Sequence, residues 1–223
     1  MVAQCADNVN SIIKLQHFST QWKTATVIPS KNPPQSSSYH PIFLLSTLPK
    51  ITERIILEHL NKHLDNNHII SHYQFGFRSE HNTNQKVARL VKDITAGYNN
   101  KKHTALVLVE LERAFDKVWH RGLVSKLINV RFPAPIIRIV NSYLKNRSFT
   151  VKVHASHSSQ KIAAAGVPQG SVLGPFLFNI YLADIPTFPH NSIAMDDSAL
   201  YSASFSPIVA VQKLQYQLPA YEK

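Results

Sequence analysis

One stretch constrains the fold more than any other. His103 to Leu111 is a run of β-branched and aliphatic residues whose length and composition suit a buried strand, and it carries Glu110 near its end. Helical periodicity brackets it. Before it, Ile51, Ile55, Ile56, Leu60 and Leu64 recur on one helical face. Pro49 suits the first turn of that helix, Ser46 or Thr47 its cap, and Asn66-Asn67 its end. A second helix is expected over 83–98, with Val87, Leu90, Val91 and Ile94 inward and Lys86, Arg89 and Lys92 outward. After it, helices over about 117–129 and 134–146 are parted by Pro133 and Pro135. A strand follows from Phe149 to His154, then a turn-rich link over 163–170 and a helix over roughly 171–182. A short strand pair around Asp196-Asp197 and a last helix near 207–217 complete the pattern. Residues 29–41, rich in Pro and Ser, read as a loop. Strands separated by helix pairs, with a hairpin late in the chain, imply an α+β fold rather than a parallel sheet.

Bulk properties narrow the function. The chain of 223 residues can bury a core and fits one large domain or two small ones. Its longest apolar runs, such as Ala105 to Val109 and Phe132 to Ile137, are too short to span a bilayer, so no membrane partner is expected. The first residues lack the basic flank and apolar stretch of a signal peptide, and Cys5 is the single cysteine, so an intracellular setting is expected, nucleus and cytoplasm undistinguished. Formal net charge is +11. Residues 1–150 hold 20 Lys/Arg against 9 Asp/Glu, while 151–223 hold 4 against 4. A basic surface of this kind favours a phosphate backbone, although a basic soluble protein or a membrane-surface binder shares the same composition.

The chemistry centres on acids. Asp196-Asp197 stand between Ile193-Ala194-Met195 and Ser198-Ala199-Leu200-Tyr201, and adjacent acids between apolar stretches are costly unless something positive binds them. A hairpin tip carrying them holds a divalent cation or is simply a solvated turn. Glu110, at a strand end, either joins that site or reaches solvent. Phosphoryl transfer by two metal ions needs converging carboxylates, and carboxylates from two adjacent strands can meet that demand. His59 and His63 lie one turn apart but lack a third ligand, so they read as exposed helix histidines. Asp116 reads most simply as a helix cap, with a backup place in the metal site left open, and Trp22 and Trp119 as core anchors.

Longer motifs then agree. Gly166-Val167-Pro168-Gln169-Gly170-Ser171-Val172-Leu173-Gly174-Pro175, followed by Phe178-Asn179 and by Tyr181 through Asp184-Ile185-Pro186, resembles motif B of the reverse transcriptases of jockey-like non-LTR retrotransposons. Elsewhere in the chain Tyr39-His40-Pro41-Ile42, Gln74-Phe75-Gly76-Phe77-Arg78 with His81, Thr83 and Gln85, and Ala114 through His120 resemble the same enzymes. Asp196-Asp197 with the four residues after them resembles motif C. The matches keep the family's order from about Trp22 to Tyr201.

The resemblance implies a right-hand polymerase fold, with a helical fingers region over 1–100 and, over 101–223, an antiparallel palm sheet packed on helices that ends before a thumb. It implies an RNA-directed DNA polymerase, a nucleotidyltransferase joining deoxynucleoside triphosphates to a DNA primer on an RNA template with two Mg²⁺ ions; protein partners are left open. On it, Glu110, Asp196 and Asp197 take the catalytic and metal-binding positions. Phe115 lies beneath the incoming sugar, Gln169 and Gly170 beside the nucleotide, Lys31 near the triphosphate and Arg78 on template or a backbone phosphate. A loop lysine in solvent and a core role for Phe115 are the plainer readings of two of these.

Four positions depart from the pattern: Glu110 replaces aspartate, Ala194-Met195 precede the paired acids in a shortened approach, His40 replaces arginine, and Glu80 replaces glycine. They support a second reading, a truncated, catalytically inactive remnant that retains nucleic-acid binding. A group II intron maturase or a telomerase-like protein is a more distant third.

Overall fold

A computed structural model describes residues 2–29, 41–67, 69–70, 74, 76–77, 81–111, 114–185, 191–194 and 197–220. Two compact units emerge, each discontinuous in sequence: Met1–Asn67 with Phe115–Tyr181, and His68–Ala114 with Leu182–Lys223. Both take residues from either side of position 100.

The first unit holds helices α1 (Val2–Leu15), α2 (Thr47–Asn67), α4 (His120–Asn129), α5 (Ala134–Leu144) and α6 (Gly174–Tyr181), and strands β1 (Thr24–Pro29), β2 (Pro41–Leu44), β4 (Arg147–Val153), β5 (Ser156–His157) and β6 (Lys161–Ala163). Its sheet runs β2-β1-β4-β5 with β6 also on β4. β1 pairs parallel with β4, Thr24 opposite Ser148 and Val27 opposite Val151, and every other pairing of this sheet is antiparallel. Helix α6 is apolar on nearly every side, and Phe176 through Ile180 are all buried, as a core helix requires. The amphipathic α5 buries Ile139, Val140, Tyr143 and Leu144, and Phe18 meets the Tyr143 ring edge-on at 4.9 Å.

The second unit holds helices α3 (Thr83–Asn99) and α7 (Pro207–Gln217) and an antiparallel sheet of order β3-β8-β7, with β3 His103–Glu110, β7 Asn191–Ala194 and β8 Asp197–Ser204. α3 opens on a capping box: the Asn82 side chain accepts from the Gln85 amide, and the Gln85 side chain accepts from that of Asn82. α7 contributes buried Ala210 and Leu214, and Leu200 and Ser202 of β8 are buried too. The expected α+β class, the hairpin late in the chain and the last helix are all present.

Several expectations are corrected. β3 is half-buried rather than buried: Leu106, Leu108 and Glu110 alternate outward, and Leu108 is 73% exposed. α3 is turned away from its expected orientation. Val87, Val91 and Ile94 are exposed, whereas Asp93 accepts the Tyr201 hydroxyl and Gly97 is buried against Thr104, where a Cβ would come within 2.9 Å of the hydroxyl oxygen. Close approach at glycine and one half-buried hydrogen bond outweigh the apolar stripe there. On α2 the buried face takes in Thr52 and Glu53 while Ile51 is exposed. Trp119 is no core anchor: it is 61% exposed, one face of its indole lying over Gly122 in the first turn of α4. Asp116 caps no helix, because α4 begins at His120 and its N-cap, Trp119, makes no side-chain cap bond. His59 and His63 are engaged separately, His59 at the Ile55 carbonyl and His63 at the Val130 carbonyl and the Phe132 ring.

Candidate active site

In the second unit, the register of β3 against β8 sets Glu110 directly opposite Asp197, and β7 pairs Ala194 with the same Asp197. The register thus brings two acidic positions to the same level of the sheet. Like charges so placed repel, and a divalent cation relieves that repulsion through the hard oxygen donors it prefers. The acids present thus fit a metal. Among the described residues no three His, Cys, Asp or Glu side chains gather; Asp196 and the side chain of Asp197 lie outside them. Lys31 and Arg78 also lie outside the described residues, as do His40 and Glu80.

In the first unit, segment 115–120 is clamped to segment 166–169. The Val167 amide donates to the Phe115 carbonyl at 2.8 Å and the Gly166 amide to the Val118 carbonyl at 2.9 Å. His120 Nε2 donates to the Gly166 carbonyl at 2.7 Å, so that nitrogen carries the proton. Gln169 Nε2 donates to Asp116 Oδ1 at 2.9 Å. Phe115, half-buried, stacks on Phe178, ring centroids 4.4 Å apart. Gly166 and Gly170 both have positive φ, +89° and +74°. They differ in surroundings: a Cβ on Gly170 would make only ordinary contact with the Phe43 carbonyl, whereas one on Gly166 would stand 2.8 Å from the Asp116 carbonyl. A cavity of about 370 Å³ opens beside the clamp, lined by residues that include Phe43, Asp116, His120, Arg147 and Phe149.

Beneath the same loop lies a carboxylate that motif reading passed over. Glu53, 1% exposed, accepts hydrogen bonds from the Val172 and Leu173 amides at 2.7 and 3.2 Å through Oε2. Burial pushes its pKa up, against the lowering pull of those two amides and of Arg147 and Lys50. Arg147 is itself buried, its guanidinium 4.8 Å from the Tyr143 ring centroid. Burial, then Glu53, raises the Tyr143 phenol, and burial, then Arg147, lowers Lys23. The signal for Glu53 was present: it falls on the helical stripe of Ile56, Leu60 and Leu64, where a carboxylate must find donors.

Comparison with known proteins agrees with this anatomy. Residues 28–217 match the family Reverse transcriptase (RNA-dependent DNA polymerase). The chain is 42% identical over 181 residues to a probable RNA-directed DNA polymerase from transposon BS of Drosophila melanogaster, covering 79% of this chain and 20% of that protein. It is 36% identical over 230 residues to the RNA-directed DNA polymerase from mobile element jockey of the same fly, covering 96% of this chain and 25% of that one. The chain therefore spans a fifth to a quarter of these relatives. Apo telomerase from Candida tropicalis, truncated from its C-terminal domain, superposes with a TM-score of 0.59 over 95% of this chain and 50% of its own, at 12% identity. That likeness speaks for the right-hand polymerase fold alone. With a family match over most of its length, the chain belongs to the reverse transcriptase family, and it is similar to the polymerases of transposon BS and mobile element jockey.

Proposed function

We propose that this chain is an RNA-directed DNA polymerase domain acting inside the cell, which extends a DNA primer on an RNA template. The observation that carries the reading is the direct pairing of Glu110 with Asp197 across β3 and β8. In the reaction the primer 3′-hydroxyl oxygen bonds to the α-phosphorus of a deoxynucleoside triphosphate, the hydroxyl loses its proton, and pyrophosphate leaves. Two bound Mg²⁺ ions would supply the charge stabilisation this transfer needs, with Glu110, Asp196 and Asp197 as their ligands. Phe115 would sit against the sugar, Gln169 and Gly170 would border the nucleotide, Lys31 would meet the triphosphate, and Arg78 would meet the template or a phosphate.

Glutamate at 110 favours a second reading, a catalytically silent nucleic-acid binder. Its extra methylene displaces the carboxylate by about an ångström relative to aspartate, and a misplacement of that size costs on the order of 100-fold in rate. Primer extension on an RNA template with Mg²⁺ separates the two. The polymerase reading expects incorporation by the natural chain and about 100-fold faster incorporation by Glu110→Asp. Incorporation by neither protein overturns it in favour of the silent binder.

A further inference from the structure

The clamp on residues 166 and 167 fixes only the near end of the loop that leads into α6. Beyond it the chain makes a four-residue turn, Pro168 to Ser171, closed by the Ser171 amide donating to the Pro168 carbonyl at 3.2 Å. Gly170 stands at the third position of the turn, where positive φ suits glycine, so Gln169 and Gly170 form its tip. Three successive amides follow at the entrance to α6, ahead of any helical carbonyl that could receive them. The Ser171 hydroxyl takes that of Gly174 at 2.8 Å. Glu53 of α2 takes those of Val172 and Leu173, from 119 and 120 residues away in sequence. Its carboxylate has little room to swing. It is buried, and the cation beside it, Arg147, is itself held by the Tyr143 carbonyl, 3.2 Å from Nη1.

We infer that Glu53 is a positioning residue that holds the far end of this loop, so that the turn is hung between two fixed ends before any ligand arrives. The inference rests on the reading above in which the tip of the turn borders the nucleotide; Glu53 itself touches no ligand. A loop tied at one end only loses conformational freedom when a nucleotide orders it, and that loss weakens binding. A buried carboxylate removes the loss in advance. Its charge contributes, because charge-assisted hydrogen bonds are roughly twice as strong as neutral ones.

Two variants test this. Glu53→Met is similar in length and offers no oxygen, whereas Glu53→Gln keeps a neutral oxygen at the same reach. One arm needs no ligand and follows backbone amide exchange by NMR. In Glu53→Met the Val172 and Leu173 amides should exchange about tenfold faster than in the natural chain, while those of Gly166 and Val167 stay protected. Equal rates at 172 and 173 overturn the inference. So does a parallel loss at 166 and 167, which would make Glu53 a support of the whole unit. Should Glu53→Met fail to fold, Glu53→Gln carries the test: the same two amides should exchange several-fold faster through the weaker bond, and unchanged rates overturn the inference.

The other arm measures affinity for thymidine triphosphate and, separately, for an RNA–DNA primer-template, with Ca²⁺ in place of Mg²⁺. Glu53→Met should weaken nucleotide binding about tenfold and Glu53→Gln about two- to threefold, with primer-template affinity kept within about twofold in both. Nucleotide affinity that is unchanged, or that falls in step with primer-template affinity, overturns the inference and leaves the polymerase reading standing. No nucleotide binding by the natural chain overturns that reading, and the effect of Glu53 on nucleotide affinity with it, whatever the exchange rates show.

Discussion

At Gly166, a φ of +89° and the Asp116 carbonyl, 2.8 Å from where a Cβ would stand, admit only glycine. Gly166→Ala is expected to lower stability by about 1–3 kcal/mol, the cost of a side chain held in a left-handed conformation, measured by urea melts. A loss below a few tenths of a kcal/mol would show that the clamp opens easily. Glu53 makes a different prediction. Its folded pKa is raised, so its contribution to stability is full below the ordinary carboxyl value of 4.5 and is lost as pH rises through the higher folded value. Glu53→Gln lacks that titration. The melting temperature of the variant should therefore gain on that of the natural chain as pH rises from 4 toward neutrality. A constant difference across that range would mean that the buried carboxyl titrates no differently in the two states. Motif B was legible as a run of residues, but these two supports were not. Whether Gly166 or Gly170 is the locked glycine depends on which backbone lies alongside, and that is decided by residues 115–116, far off in sequence.

The pairing of β3 with β8 sets two acidic positions face to face, and this makes a prediction for the strand pair. Without divalent ions Glu110→Gln should raise stability by about 0.2–0.5 kcal/mol, the low part of the cross-strand range because the position is exposed and screened. Millimolar Mg²⁺ should raise the melting temperature of the natural chain and much less that of the variant. Equal shifts in both would place any bound cation elsewhere. Helices were more legible than strands: α2, α3, α5 and α7 were read within a few residues. α3 shows the limit of periodicity. Its apolar stripe is real, yet Val91 is 54% exposed because Asp93 and Gly97 face the sheet. The strands β1 and β2 went unread. They are short, and β1 finds its parallel partner β4 some 120 residues later, where no local pattern could announce it.

The charge asymmetry read along the chain persists when counted by compact unit. Met1–Asn67 with Phe115–Tyr181 carries 15 Lys/Arg against 5 Asp/Glu, and the other unit 9 against 8. Binding to an RNA–DNA hybrid should weaken with rising salt, log affinity falling by about 0.9 per phosphate neutralised for each decade. Replacing exposed Lys152 and Lys161 of the first unit by alanine should flatten that slope, while Lys213→Ala in the second should leave it nearly unchanged. Similar flattening by all three would spread the contact over both units. The interleaving of the units also bears on synthesis. β3 is complete when Glu110 emerges from the ribosome, yet its partner β8 begins only at Asp197. At ordinary elongation rates the nascent strand waits on the order of ten seconds with an open edge and with Leu106 and Leu108 pointing outward. Chaperone capture during translation should centre on that interval.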